Sequence, residues 1–116
     1  MTFDWTTGPL AEGLACYRSQ RFWQAHEHWE EIWLKCEEPD KTFVQALIQI
    51  TAAMHHFQRN EFPGAISLLS KALQRLQPYP NEFGGIAVAP LRESLREWLR
   101  ALEAGDASLC PFPRIA

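Results

Sequence analysis

One stretch of this sequence occurs twice in similar form, and the repeat restricts the possible folds more than any other feature. Residues 17–35 (YRSQRFWQAHEHWEEIWLK) align without gaps with residues 57–75 (FQRNEFPGAISLLSKALQR), at an offset of 40 positions. Each copy has the pattern of a helix, a tight turn and a second helix, which is the helical hairpin of tetratricopeptide-like repeats. The matched pairs are Tyr17 and Phe57, Phe22 and Phe62, Ala25 and Ala65, Trp29 and Leu69, and Trp33 and Leu73.

Apolar residues recur at helical spacing in five segments, which predicts an all-α fold of two stacked hairpins and a fifth helix over their exposed end. Residues 1–116 are expected to form a single domain. The helices are expected from Gly8-Pro9 to about Ser19, over 22–36, from an Asp40 cap to about Arg59, from Pro63 to Leu76, and over 90–104. Residues 77–90 are predicted to be a loop, and residues 105–116 an irregular tail; no strand is predicted.

The fifth helix is predicted to be amphipathic. Its inward residues are Leu91, Leu95, Trp98, Leu99 and Leu102. Its solvated face is expected to carry Arg92, Glu93, Arg96, Glu97 and Arg100.

The two hairpins differ at positions that hold polar side chains only in the first. His26 and Glu30 align with Ile66 and Ser70, so the scaffold itself does not require polar groups there. Residues three, four and seven apart share one face of a helix. The second and third helices must run antiparallel, so their facing polar residues are expected to meet in one cluster in or beside the core. Its members are His26, Glu30, Trp33, Gln45, Gln49 and His56.

Such a cluster supports three kinds of chemistry. Its members can satisfy one another as a buried network that fixes helix register. They can line a ligand pocket or supply acid–base catalysis, for which His26, Glu27 and Glu30 are the candidates. They can also hold a divalent metal, with His26 and Glu30 as candidate ligands, although the sequence HEHWE is not the zinc motif HExxH. No cofactor follows from this pattern.

Composition argues against two classes of partner. The net charge is −3 and lysine and arginine do not cluster, whereas a nucleic-acid binder needs a basic face. No apolar run approaches the length of about 18 residues that a membrane span needs. No secretory signal is recognised at the N-terminus, and three sparse cysteines fit a reducing compartment, so a cytoplasmic location is expected. A homo-oligomer remains open.

Three groups of residues between about positions 10 and 80 form a combined motif. They are Ala25, His26, Glu27, Glu30 and Trp33, then Gln45, Leu47, Ile48 and Gln49, then His56, Asn60, Gly64 and Ala65. This motif resembles that of a family of small helical bacterial and archaeal proteins, catalogued as domain of unknown function 309. The resemblance implies a compact helical fold, a shared polar cluster, and the conjecture, attached to that family, of a metal-dependent hydrolase.

Two hypotheses of function follow. The first is a binding or scaffold module whose partner is a small molecule or a protein. The second is a small hydrolase, acting with or without a metal ion, centred on His26, Glu27 and Glu30. An enzyme requires these side chains to meet in a water-accessible pocket.

Overall fold

The computed structural model describes residues 1–107 and 110–116. It confirms the predicted all-helical class, with one small exception. None of the helices in these residues is long and apolar enough to cross a membrane. The elements are α1 (Gly8–Arg18), α2 (Phe22–Trp33), α3 (Asp40–Gln58), α4 (Phe62–Leu76), β1 (Glu82–Phe83), β2 (Ile86–Ala87) and α5 (Val88–Ala104).

The connections between α1 and α2 and between α3 and α4 have the same backbone conformation. Gln20 and Asn60, 40 positions apart, both adopt a left-handed conformation, with φ of 61° and 59°. The next residues also match, with φ −92° and ψ 70° at Arg21 and φ −95° and ψ 68° at Glu61. The repeat therefore extends from the sequence to the individual dihedral angles.

The hydrogen bonds of the two connections repeat as well. The amide of Arg21 donates to the carbonyl of Cys16 at 2.8 Å, and the amide of Glu61 donates to that of His56 at 2.9 Å. Each of these hydrogen bonds closes a turn of six residues. It satisfies a carbonyl at the end of α1 or α3 that lacks a partner within the helix.

The offset of 40 positions also pairs residues in the helices on both sides of each connection. Ala25 and Ala65 are fully buried, as are Trp29 and Leu69. Upstream, the same offset pairs four further positions of α1 and α3: Leu10 with Ile50, Gly13 with Ala53, Leu14 with Met54 and Tyr17 with Phe57. These positions thus pack alike in the two hairpins, with a tryptophan in the first where the second has a leucine. The pair Phe22 and Phe62 differs, since Phe22 is buried and Phe62 is exposed.

Glutamine is an unfavourable residue for the left-handed conformation at position 20, because its Cβ crowds the backbone there. We expect Gln20→Gly to raise the free energy of unfolding by about 0.5 to 1 kcal/mol in urea denaturation. Gln24→Gly, at an exposed position inside α2, should instead lower it by about 1 kcal/mol. A loss of stability in both variants would contradict the assigned backbone conformation.

Two predictions for the segment between α2 and α3 are wrong. The second helix ends at Trp33 rather than Cys36, because residues 34 and 35 form a turn. Asp40 does not cap the third helix either; it is the first residue of α3. The capping oxygen belongs to Glu38, whose carboxylate accepts the amide of Thr42 at 2.7 Å.

The loop predicted over residues 77–90 contains the start of α5 and a two-stranded hairpin that the sequence pattern did not indicate. Glu82 pairs with Ala87 and Phe83 with Ile86. Gly84 and Gly85 between them have φ of 58° and 78°, as a two-residue hairpin turn requires. Strands of two residues are too short to show alternation in the sequence.

The N-terminal segment packs against this hairpin. The indole of Trp5 donates to the carbonyl of Gly84 at 2.7 Å, and the ring of Phe3 contacts those of Phe43 and Phe83. A side chain at Gly84 would collide with Phe3, since its Cβ would lie 2.9 Å from that ring. An aromatic cluster therefore covers one end of the helices.

Helix α5 begins at Val88, two residues before the predicted start, and packs against α4. The predicted inward residues are buried except Leu99, which is half-buried. Arg92 does not lie on a solvated face; its guanidinium donates to the carbonyls of Leu76 and Tyr79. Of the predicted tail, Ser108 and Leu109 lie outside the described residues. Residues 110–116 have no regular secondary structure, and Pro113 and Ile115 are buried.

Candidate functional site

The predicted six-residue cluster does not assemble as one site. Gln49 is buried, but its side-chain oxygen accepts from the guanidinium of Arg75 at 3.1 Å, so it faces α4 rather than α2. His56 lies at the α3–α4 connection, 3.2 Å from the carboxylate of Glu61. Both were wrongly placed between α2 and α3, at what we call the α2–α3 seam. A shift of a single residue rotates a side chain by about 100° around the helix axis, which is enough to turn it from one neighbouring helix to the other.

Trp33 and Gln45, the outer members of the predicted cluster, are half-buried. The ammonium of Lys41 lies over the ring of Trp33, 4.3 Å from its centroid, and donates to the Trp33 carbonyl at 3.2 Å. This end of the α2–α3 seam is therefore a cation–π contact that joins the two helices.

His26 and Glu30 remain adjacent, one turn apart on α2. Nδ1 of His26 lies 3.5 Å from the Glu30 carboxylate, without hydrogen-bond geometry, and it is buried without a hydrogen-bond partner. The His26 side chain is only 19% exposed, whereas that of Glu30 is 51% exposed and therefore lies at the surface rather than in the core. A buried polar atom without a partner is uncommon in proteins and often marks a functional position.

Three aromatic rings meet beside His26 and form what we call the aromatic patch: Trp23, His26 and His55. The imidazole of His26 stacks on the indole of Trp23 at 4.9 Å and 6°. His55, from α3, approaches the same indole at 5.4 Å and 43°. Trp23 nevertheless remains 50% exposed, a large fraction for a tryptophan.

The patch favours neutral imidazole at His55. Desolvation is the largest cause that lowers the pKa of His55 from its ordinary value, and the nearby charges of Arg59 and His56 lower it further. A neutral ring stacks on an indole without the cost of desolvating a charge.

Exposed carboxylates lie on the helix that carries Trp23. Helix α2 contains Glu27, Glu30 and Glu31, all exposed, and neither lysine nor arginine. Trp23, Glu27 and Glu30 lie four and seven residues apart, so they share one face of α2. The helix therefore presents an aromatic ring next to negative charge.

The metal hypothesis requires more donors than this site contains. His26 and Glu30 supply two, whereas a catalytic zinc site takes three protein ligands. In the part of the chain that the structure describes, no group of three or more His, Cys, Asp or Glu side chains could hold a metal ion. The residues present do not fit a metal centre, so we derive no metal-dependent step.

Trp23 and His55 were missed as site residues, although the repeat contained a signal for both. Trp23 aligns with Pro63 and Ala15 aligns with His55 at the same offset of 40. Neither aromatic residue is required by the hairpin, by the same reasoning that singled out His26. A tryptophan in an aromatic-rich helix is more readily interpreted as core.

The fold and the site define a chain of two helical hairpins with an aromatic and acidic surface between α2 and α3, at the end far from the loop that joins them. Residues 10–68, half of the chain, match the family described as "Domain of unknown function (DUF309)". The chain belongs to this family, as the resemblance predicted. The match extends from α1 into α4 and includes the whole aromatic patch, but not α5 or the tail.

A relative in Aquifex aeolicus (strain VF5), described as "Uncharacterized protein", is 30% identical over 99 residues. The alignment covers 84% of this chain and 29% of the relative. The chain therefore spans less than a third of that protein's length.

Proposed function

We propose that this protein is a binding module whose aromatic patch, with Glu27 and Glu30, takes up a basic side chain from an extended segment of a partner protein. The observation that carries the proposal is the half-exposed indole of Trp23, stacked on His26 beside exposed carboxylates. Tryptophan is enriched among the residues that contribute most to protein–protein binding. An indole face next to negative charge suits a guanidinium or an ammonium group.

A contact within the same chain supports the chemistry. At the other end of the α2–α3 seam, the ammonium of Lys41 lies 4.3 Å from the centroid of the Trp33 ring. Trp23 lies on the same seam at the end that holds the aromatic patch, where its neighbours are the imidazoles of His26 and His55 rather than a cation. A cation from a partner would give Trp23 the contact that Trp33 makes internally.

The alternative, a hydrolase centred on His26, Glu27 and Glu30, remains a hypothesis without a supporting observation. Its two best-placed groups, His26 and Glu30, lack hydrogen-bond geometry. Neither the family description nor the relative's name refers to an activity.

Fluorescence polarisation with short labelled peptides tests the binding proposal. A peptide of alternating arginine and glycine should bind saturably, and one with glutamate in place of arginine should not. Trp23→Ala should weaken the binding about tenfold, which corresponds to the loss of one cation–π contact of about 1 to 2 kcal/mol. Glu30→Gln should weaken it less, and salt should weaken it further.

Leu34→Ala is the matched control, because Leu34 is also a large exposed side chain at the end of α2, 66% exposed. It should leave the affinity unchanged. Equal losses in Trp23→Ala and Leu34→Ala, or equal binding of the arginine and glutamate peptides, would contradict the proposal.

A further inference from the structure

A second surface, distinct from the aromatic patch, is covered by the tail, defined here as residues 110–116 (CPFPRIA). Pro111 and Pro113 fix their own φ at about −65°. The residues that precede them, Cys110 and Phe112, are biased towards extended conformations. The segment is therefore largely pre-organised before it binds, which reduces the entropy lost on binding.

Two aromatic side chains hold the backbone of the tail. The indole of Trp98 on α5 donates to the carbonyl of Pro111 at 2.8 Å. The hydroxyl of Tyr17 on α1 donates to the carbonyl of Pro113 at 2.6 Å. Burial raises the pKa of the Tyr17 phenol well above its ordinary value, so the hydroxyl stays a donor. The two donors come from different helices, α5 and α1, and bind the carbonyls of two prolines that are two residues apart.

Most side chains of the tail are at least partly buried against the protein. Phe112 lies between two rings, 5.1 Å from Phe22 at 67° and 6.0 Å from Trp98 at 10°. Ile115 is 4% exposed, whereas Arg114 is exposed. Phe112 and Ile115 therefore supply the apolar contacts, and the proline carbonyls supply the polar ones.

The surface under the tail, which we call the tail groove, consists of Tyr17, Phe22 and Trp98. Its walls are supported by contacts that do not involve the tail. Tyr17 packs on Phe22 at 5.2 Å, and Phe57 packs edge-on against Trp98 at 4.9 Å. A cleft of about 540 Å³ continues beside the tail towards Leu91 at the start of α5. The groove is thus built by the helices rather than by the tail.

We propose that the tail groove is a recognition site for an extended Pro-Phe-Pro segment, which the chain's own tail fills and which the same kind of segment from a partner protein can fill in its place. Aromatic grooves of this kind bind proline-rich segments because those segments lose little entropy on binding. The segment's backbone is recognised by two hydrogen bonds, from an indole and a phenol to proline carbonyls. Its aromatic side chain is recognised by the space between Phe22 and Trp98.

The test uses the full chain with Phe112→Ala, which empties the space between Phe22 and Trp98 and weakens the hold of the tail. The probe is a fluorescein-labelled peptide of residues 110–116 in which Cys110 is replaced by serine. We expect saturable binding to Phe112→Ala and apparent binding to the unaltered protein at least about tenfold weaker, since the attached tail competes at an effective concentration in the millimolar range. A peptide carrying Phe112→Ala should bind about tenfold more weakly than the probe.

Two further variants assign the binding to the groove. Adding Trp98→Phe to Phe112→Ala removes the indole donor but keeps a ring, and should weaken peptide binding. Adding Trp23→Ala, on the other surface, should leave it unchanged, so this proposal and the one for the aromatic patch can fail independently. If circular dichroism shows that Phe112→Ala does not fold, Phe112→Leu takes its place.

The outcomes are distinct. Saturable binding that depends on Phe112 of the peptide and on Trp98 supports the proposal. A dimer of the variant or of the unaltered protein, held by exchanged tails, also supports it, because the groove then takes a tail from a second copy. Absence of saturable binding to a folded variant, or equal binding to the variant and the unaltered protein, would overturn it.

Discussion

Replacing Gly13 with alanine is expected to lower the free energy of unfolding by about 3 kcal/mol or more. A Cβ at position 13 would lie 2.2 Å from Nε1 of Trp29, and 2.5 Å and 2.8 Å from two further atoms of the indole. The ring cannot move away freely, because Trp29 is fully buried and donates to the carbonyl of Leu10 at 3.2 Å. The better helix propensity of alanine offsets only about 1 kcal/mol of the cost.

The second hairpin supplies the control for this experiment. At the positions of Gly13 and Trp29 it has Ala53 and Leu69, both fully buried. Trp29→Leu alone should cost about 2 to 4 kcal/mol, because it leaves a cavity over Gly13. The double variant carries the pair found in the second hairpin, so its loss in urea denaturation should be smaller than the sum of the single losses by about 1 to 3 kcal/mol. Additive losses would show that the two pairs are not equivalent.

Arg92→Ala should cost about 2 to 4 kcal/mol, far more than a typical surface arginine. Nη1 of Arg92 donates to the carbonyls of Leu76 at 3.2 Å and Tyr79 at 3.1 Å, and Nη2 donates to the side-chain oxygen of Asn81 at 2.9 Å. Leu76 is the last residue of α4, where carbonyls lack partners within the helix and a positive charge is favoured.

Arg96→Ala is the matched control, one turn further along α5. Its side chain is 39% exposed, and its guanidinium contacts Glu93 at 3.4 Å, an exposed pair that contributes at most about 1 kcal/mol. Arg92→Lys should lie between the two variants, since an ammonium cannot reproduce the planar fork of donors. Equal unfolding free energies for Arg92→Ala and Arg96→Ala would mean that the Arg92 contacts add nothing to stability.

The fold could be predicted because the information lay in residues close together in the chain. The repeat and the helical spacing of apolar residues determine the hairpins. Asn60, which tolerates the left-handed conformation, indicates the second connection, and the repeat places Gln20 in the same conformation although glutamine adopts it less readily. The hairpin around Gly84 and Gly85 could not be recognised by alternation, since each of its strands has two residues.

The candidate site was harder to predict because it depends on the rotation of each helix about its axis. Gln49 faces α4 rather than α2 because of the rotation of α3. Position along the axis matters as well: Arg92 and Arg96 share a face of α5, yet Arg92 reaches the carbonyls at the end of α4 while Arg96 contacts Glu93. The adjacency of His26 and Glu30 was foreseeable from their spacing of one turn, whereas the exposure of Glu30 depends on what lies across the seam.

The measurement that tests the binding proposal most directly is a titration followed through the indole N–H resonances of the five tryptophans. Three of these groups are tied to backbone carbonyls, those of Trp5, Trp29 and Trp98, and serve as internal references. Addition of the arginine–glycine peptide should shift the resonance of Trp23 progressively to saturation and leave these three in place. A saturating shift at Trp98 with none at Trp23 would locate basic-peptide binding at the tail groove. That result, or no shift at any tryptophan, would contradict the account of the aromatic patch.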